Sequence, residues 1–120
     1  TDVTIVATGH LVWESLVAAA ELEKEGISCE VINIHTIKPL DEEIILNSVK
    51  KTGKIVTAEE HNILGGLGES VARVLAQKLP TKQAFVAVND TFGESGTPSD
   101  LMKKYGIDST AVIEKVKSLL

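Results

Sequence analysis

Short runs of β-branched and aliphatic residues alternate along this chain with longer stretches of helical spacing, and glycine or proline separates them. Val3–Ala7 is uninterrupted and apolar enough to predict a strand covered on both faces. Leu11–Glu25 then has helical spacing, with Val12, Leu16, Ala19 and Ala20 expected on the inward face, and Gly26 stands where a helix C-terminus favours glycine. Cys29–Ile34 reads as a second strand, limited by Pro39. Asp41 is placed to cap the next helix, which has Glu42 and Glu43 in its first turn and Lys50 and Lys51 in its last, as the helix dipole favours. Gly53 closes that helix. Lys54–Ala58 is the third predicted strand. The helix after Gly68 is expected to turn Val71, Val74 and Leu75 inward before Pro80 blocks it. Ala84–Val88 is the fourth strand. Thr97 resembles an N-cap, with Pro98 at the first helical position and Asp100 three residues after the cap, and Gly106 ends that short helix. Asp108 is expected to cap the last helix, which presents Val112, Val116 and Leu119.

Strands that alternate with helices across short loops predict an α/β fold: a three-layer α/β/α open sheet, mainly parallel. The expected strand order is 2-1-3-4, with a topological switch point between strands one and three. The 120 residues read as a single domain, 1–120. The chain opens on Thr1-Asp2 and enters a strand at once, which reads as a piece of a longer protein or a trimmed form of one.

Composition narrows the function classes. The chain is 43% hydrophobic and only 3% aromatic, so its core is built from Val, Ile, Leu and Ala. A net charge of -5, with scattered lysines and Arg73 as the sole arginine, argues against nucleic acid, which calls for clustered cations. No apolar run approaches the roughly 20 residues of a membrane span. Cys29 is the single cysteine, so no intrachain disulfide forms; its neighbours predict a buried strand position, and a cytoplasmic setting fits.

Candidate chemistry gathers after the strands. His10, His35 and His61 each follow a predicted strand end, so a parallel sheet brings all three to its carboxyl edge, where open α/β sheets meet ligands and partners. Glu59 and Glu60 adjoin His61. Their spacing matches no trusted metal motif. Acid–base or recognition chemistry at a shared site is one reading of His61, and a polar loop residue that hydrogen-bonds strand ends is the other; for His35 the second is preferred. Gly65-Gly66-Leu67-Gly68 suggests a phosphate loop, yet dinucleotide glycines follow the first strand and no Walker lysine is present. The preferred alternative is that glycine permits a tight turn and close packing of helix on sheet. Phe92-Gly93-Glu94-Ser95-Gly96 is a second glycine-bracketed loop, expected at the same edge. Trp13 and Phe92 are either core or interface. Cys29 lies within a strand rather than at a helix N-terminus, and no self-sufficient catalytic set is visible.

Several of these pieces together resemble one family. Thr36-Ile37-Lys38-Pro39-Leu40-Asp41, Glu59-Glu60-His61 with Gly65-Gly66-Leu67-Gly68-Glu69, and Phe92–Gly96 followed by Pro98, Leu101 and Tyr105-Gly106-Ile107 are similar to successive segments of the C-terminal domain of transketolases, and they run in order along nearly the whole chain. The resemblance implies a thiamine-diphosphate-dependent enzyme that moves a two-carbon ketol unit between sugar phosphates. In it, other domains bind the cofactor and a divalent metal at a subunit interface. No Gly-Asp-Gly motif is found here, and no residue matches the glutamate that activates the thiamine ring. The family's domain also begins with an antiparallel strand that this chain lacks, so the sheet is expected to be incomplete at one edge. The related third domains of deoxyxylulose-phosphate synthase and of 2-oxo-acid dehydrogenase β subunits, the latter acting as docking modules, are the alternative. Some transketolases are split into two polypeptides, and the shorter, C-terminal one is the form expected here. Its expected partners are the cofactor-binding domains or N-terminal subunit of the same enzyme, in a homodimer of the full assembly, with no nucleic acid or membrane. No catalytic, cofactor-binding or metal residue is expected in this chain, which alone should be inactive. Glu60, His61, Asn62, His10, Glu94 and Ser95 are expected at an active-site edge or interface.

Overall fold

The computed structural model describes residues 2–34, 40–62, 66–88 and 108–120, apart from the side chains of 60–62, 87 and 88. Among these residues the elements are, in order, β1 (Val3–Ala7), α1 (His10–Lys24), β2 (Cys29–Asn33), α2 (Glu42–Thr52), β3 (Lys54–Asn62), α3 (Leu67–Lys78), β4 (Lys82–Val88) and α4 (Ser109–Leu119). The strands form one parallel sheet in the order β2-β1-β3-β4, as the alternation predicted.

Strand parity divides the core in two. Val3, Ile5 and Ala7 of β1, with Val56 and Ala58 of β3, pack under α1 and α4. Val6 and Ile55 face the other way, against α2 and α3. Both faces of the central strands are thereby covered, which is why β1 is apolar at nearly every position. The exception is Thr4, fully buried, whose hydroxyl meets those of Ser48 and Thr52 on α2, each at 2.7 Å.

Local signals place the helix ends. Asp41 accepts from the Ile44 amide at 3.4 Å and Asp108 from the Ala111 amide at 3.1 Å, so both predicted caps are present. Gly26 and Gly53 take φ of 81° and 72° just past α1 and α2. Beyond α1 the Gly26 amide bonds the Glu23 carbonyl and the Ile27 amide bonds that of Leu22, which completes a Schellman turn. The start of α4 also reaches across to α1, where Glu14 accepts from the Ser109 amide at 3.1 Å.

Three expectations change. The buried face of α1 is Leu11, Ser15, Ala18 and Leu22, while Leu16 and Ala20 are exposed and Val12 and Ala19 half-buried. Apolar residues occupy every side of this helix, so periodicity did not select a face. Packing did, and it chose the side where small Ser15 and Ala18 allow close approach to the sheet. β3 continues four residues past Ala58, through Glu59 to Asn62, and β4 begins two residues before Ala84. Cys29 is half-buried on the outer strand β2 instead of being enclosed. The helix expected after Thr97 and the glycine at 106 lie outside the described residues.

Candidate functional site

The switch point is where the carboxyl ends of β1 and β3 diverge into α1 and α3. Ala7 and Ala58 are register partners there, and the Thr8 amide donates to the Ala58 carbonyl at 3.2 Å. Three residues beyond Ala7, exposed His10 opens α1; three beyond Ala58, His61 lies in the last turn of the pleat of β3. The two histidines thus belong to adjacent strand ends on one edge, as expected. Glu60 and Asn62 flank His61 on the same strand. His35, the loop Phe92–Gly96 with Glu94 and Ser95, and Phe92 itself lie outside the described residues.

Sequence reasoning grouped Glu59 with Glu60 beside His61 at the end of the third strand. The structure buries Glu59, at 1% exposure, on the α3 side of the sheet. One carboxylate oxygen accepts from the Leu67 amide at 2.8 Å and the other from the Gly68 amide at 2.7 Å. These are the first two amides of α3, whose capping residue, Gly66, has no side chain to serve them. A carboxylate there also complements the positive end of the helix dipole. The distance along the chain, eight and nine residues, belongs to no local capping pattern. The only legible signal was an acidic pair at the end of an apolar run.

This bond answers the phosphate-loop reading. The α3 N-terminus is an anion site by construction, but the chain's own carboxylate fills it. The role of Gly68 is close packing. A Cβ at that position would stand 2.5 and 2.7 Å from the Phe85 ring and 2.9 Å from the Thr57 hydroxyl. Gln83 of β4 completes the contact, since its amide donates to the Thr57 hydroxyl at 3.1 Å and to the Gly68 carbonyl at 3.0 Å.

Two other groups are tuned by their surroundings. Burial, aided by the Asp2 charge, pushes the Cys29 thiol up to about 11, so it is a poor nucleophile. A hydrogen bond from Ser48, then the Lys51 ammonium at 2.9 Å, hold the Glu30 carboxyl below its ordinary range. Among the described residues, no group of three His, Cys, Asp or Glu could hold a metal ion, and no helix is long and apolar enough to cross a membrane. Trp13 is 63% exposed, so the core reading of it does not hold.

Residues 1–112 match the family described as "Transketolase, C-terminal domain". The chain belongs to this family. Among the relatives of this transketolase C-terminal domain is a 6-deoxy-6-sulfo-D-fructose transketolase subunit of Clostridium sp. (strain MSTE9), 46% identical over 93% of this chain and 35% of the relative. A putative transketolase C-terminal section of Methanocaldococcus jannaschii is 44% identical over 96% of the chain and 36% of the relative. The solved structure of a split gene transketolase, described as an inactive beta4 tetramer, superposes with a TM-score of 0.95 at 46% identity, covering 99% of this chain and 39% of that one. The chain therefore spans little more than a third of the length of these relatives. In this transketolase C-terminal domain, Gly66 and Glu59 act as a pair: the glycine has no side chain to cap the first helix amides, and Glu59 takes them.

Proposed function

We propose that this chain is the C-terminal section of a thiamine-diphosphate-dependent transketolase, and that it serves assembly and framing of the active site while other polypeptide holds the cofactor. The full enzyme would transfer a two-carbon ketol unit from a ketose phosphate to an aldose phosphate. The division of labour is supported by one observation: the α3 N-terminus, which the glycine-rich segment offered as a phosphate loop, is already filled by Glu59. The described residues also include no group of three His, Cys, Asp or Glu that could hold the metal, which supports leaving the cofactor to other polypeptide. The thiamine ylid chemistry belongs to the cofactor, and the protein supplies orientation.

An assembly role is supported by the outer side of α1, where Trp13 and Leu16, one turn apart, are 63% and 49% exposed. The carboxyl edge bearing His10, Glu60, His61 and Asn62 is the second contact surface in this reading, joined by Glu94 and Ser95. The partners are the cofactor-bearing section of the same enzyme and, in the full assembly, a second copy. The split-gene relative is described as an inactive tetramer, and self-association without activity is the behaviour expected of this chain alone. Relatives that are themselves transketolase subunits do not favour a deoxyxylulose-phosphate synthase or a dehydrogenase docking module.

Calorimetry with thiamine diphosphate and magnesium should register no binding to this chain at micromolar concentrations. Adding the cofactor-bearing section should restore ketol transfer. The donors tested should include a phosphorylated and a sulfonated ketose, given the substrate named for the Clostridium relative. Turnover of sugar phosphates by the chain unassisted would overturn the proposal.

A further inference from the structure

We infer that Glu59 is a positioning residue: its carboxylate ties the carboxyl end of β3 to the start of α3 and thereby fixes the backbone of Glu60, His61 and Asn62. The inference rests on the reading above that this edge is a contact surface in the assembled transketolase.

A helix cap alone would not require this arrangement. At α2 and α4 the caps are Asp41, which is exposed, and Asp108, which is half-buried, each directly before its helix. Glu14 of α1 also reaches the first amide of α4 from a distance, but it is half-buried and adds to a local cap. At α3 the local position is glycine, and among the described residues the side-chain acceptor for its first two amides is a distant, fully buried carboxylate. Burying a charge is costly even when its partners are good. What the remote cap adds is a tie between two elements. The place it ties is the irregular part of the sheet. β3 and β4 keep regular register from Lys54↔Lys82 to Ala58↔Val86, lose it, and meet again at Asn62↔Val88. Irregularities of this kind re-aim side chains and disrupt the ladder locally. Glu59 is the first residue of that stretch, so Glu60 and His61 are bracketed by its carboxylate on one side and the Asn62 pairing on the other.

The test separates a tie from a cap. Glu59→Gln keeps the shape, but its amide oxygen replaces one acceptor only and its NH2 opposes the second helix amide. Gly66→Ser places a hydroxyl at the local cap position, whose φ of -92° and ψ of -161° suit one. In Glu59→Gln, exchange at the Leu67 and Gly68 amides should accelerate by about tenfold or more, the loss expected for a charge-assisted bond. The His61 ring resonance should move as well. With the cofactor-bearing section, the concentration of this chain giving half-maximal activity should rise about tenfold at unchanged saturating activity. In Glu59→Gln/Gly66→Ser, amide protection should return while the His61 signal and the weakened assembly persist; this double variant also serves if the single one does not fold. Return of the His61 signal to its original position on recapping would overturn the inference, because Glu59 would then be a helix cap and nothing more. So would a His61 signal that never moved. If the signal moves and persists but assembly is unaffected, the positioning role stands and the reading of this edge as a contact surface falls.

Discussion

Replacing Gly68 by alanine sets two effects of opposite sign against each other. In an ordinary helix the change stabilises by about 0.5–1 kcal/mol, because glycine loses more backbone freedom on folding. Here the new methyl would lie 2.5 and 2.7 Å from two Phe85 ring carbons and 2.9 Å from the Thr57 hydroxyl oxygen. Phe85 is half-buried, so its ring has room to tilt outward. Thr57 is buried and bonded to Gln83, so relief on that side requires α3 to lift from the sheet. Overpacking of this kind costs about 1–3 kcal/mol, which exceeds the helix gain and leaves a net loss of about 1–2 kcal/mol. With an ordinary urea dependence for a small domain, the unfolding midpoint should fall by roughly 0.5–1 M. Far-UV circular dichroism is the better probe, because Trp13 is already largely exposed in the folded state. Gly26→Ala is the control: it has φ of 81° and nothing within 4 Å, so its cost is backbone strain without a clash. A Phe85→Leu background should reduce the cost of Gly68→Ala but leave that of Gly26→Ala unchanged. A raised midpoint for Gly68→Ala would refute the close approach of α3 to β3 and β4.

Ser15→Ala should stabilise the chain by about 1 kcal/mol, since the buried Ser15 hydroxyl has no hydrogen-bond partner among the described residues and alanine is the better helix former; a lower melting temperature would contradict this. The Cys29 thiol, raised from 9.0 to about 11, should react with a disulfide reagent at pH 8 about 100-fold more slowly in the folded chain than in urea, one factor of ten for each pH unit. Its contribution to stability is complete below pH 9 and disappears as pH rises toward 11; equal rates in the two states would refute the burial. Glu30 has the opposite sign. Its lowered carboxyl contributes stability above its unfolded value of 4.5, and that contribution disappears as pH falls through the folded value. Glu30→Gln should therefore match the parent at strongly acidic pH and fall below it near neutrality, as followed by thermal unfolding across pH. Parallel profiles would contradict the assignment.

What was legible in the chain is what depends on near neighbours. Asp41 and Asp108 cap the helices that begin one residue later, and Gly26 and Gly53 adopt the left-handed backbone that ends the helices before them; each interaction spans a few residues, so composition at fixed spacing suffices. The parallel sheet followed from apolar strands too continuous to have a solvent face, and the family was legible because several short segments keep their order. The carboxyl edge of the sheet was legible as the place of His10 and His61, because in a parallel sheet every strand ends at the same side. Tertiary structure decided the rest. α1 is apolar all round, and only the sheet and α4 selected the Leu11–Leu22 face over the one containing Leu16. Nothing near Glu59 announced that it is buried. Its partners, the amides of Leu67 and Gly68, lie eight and nine residues away on the next element, and the energy that keeps a carboxylate inside the protein is available only once α3 has docked on β3.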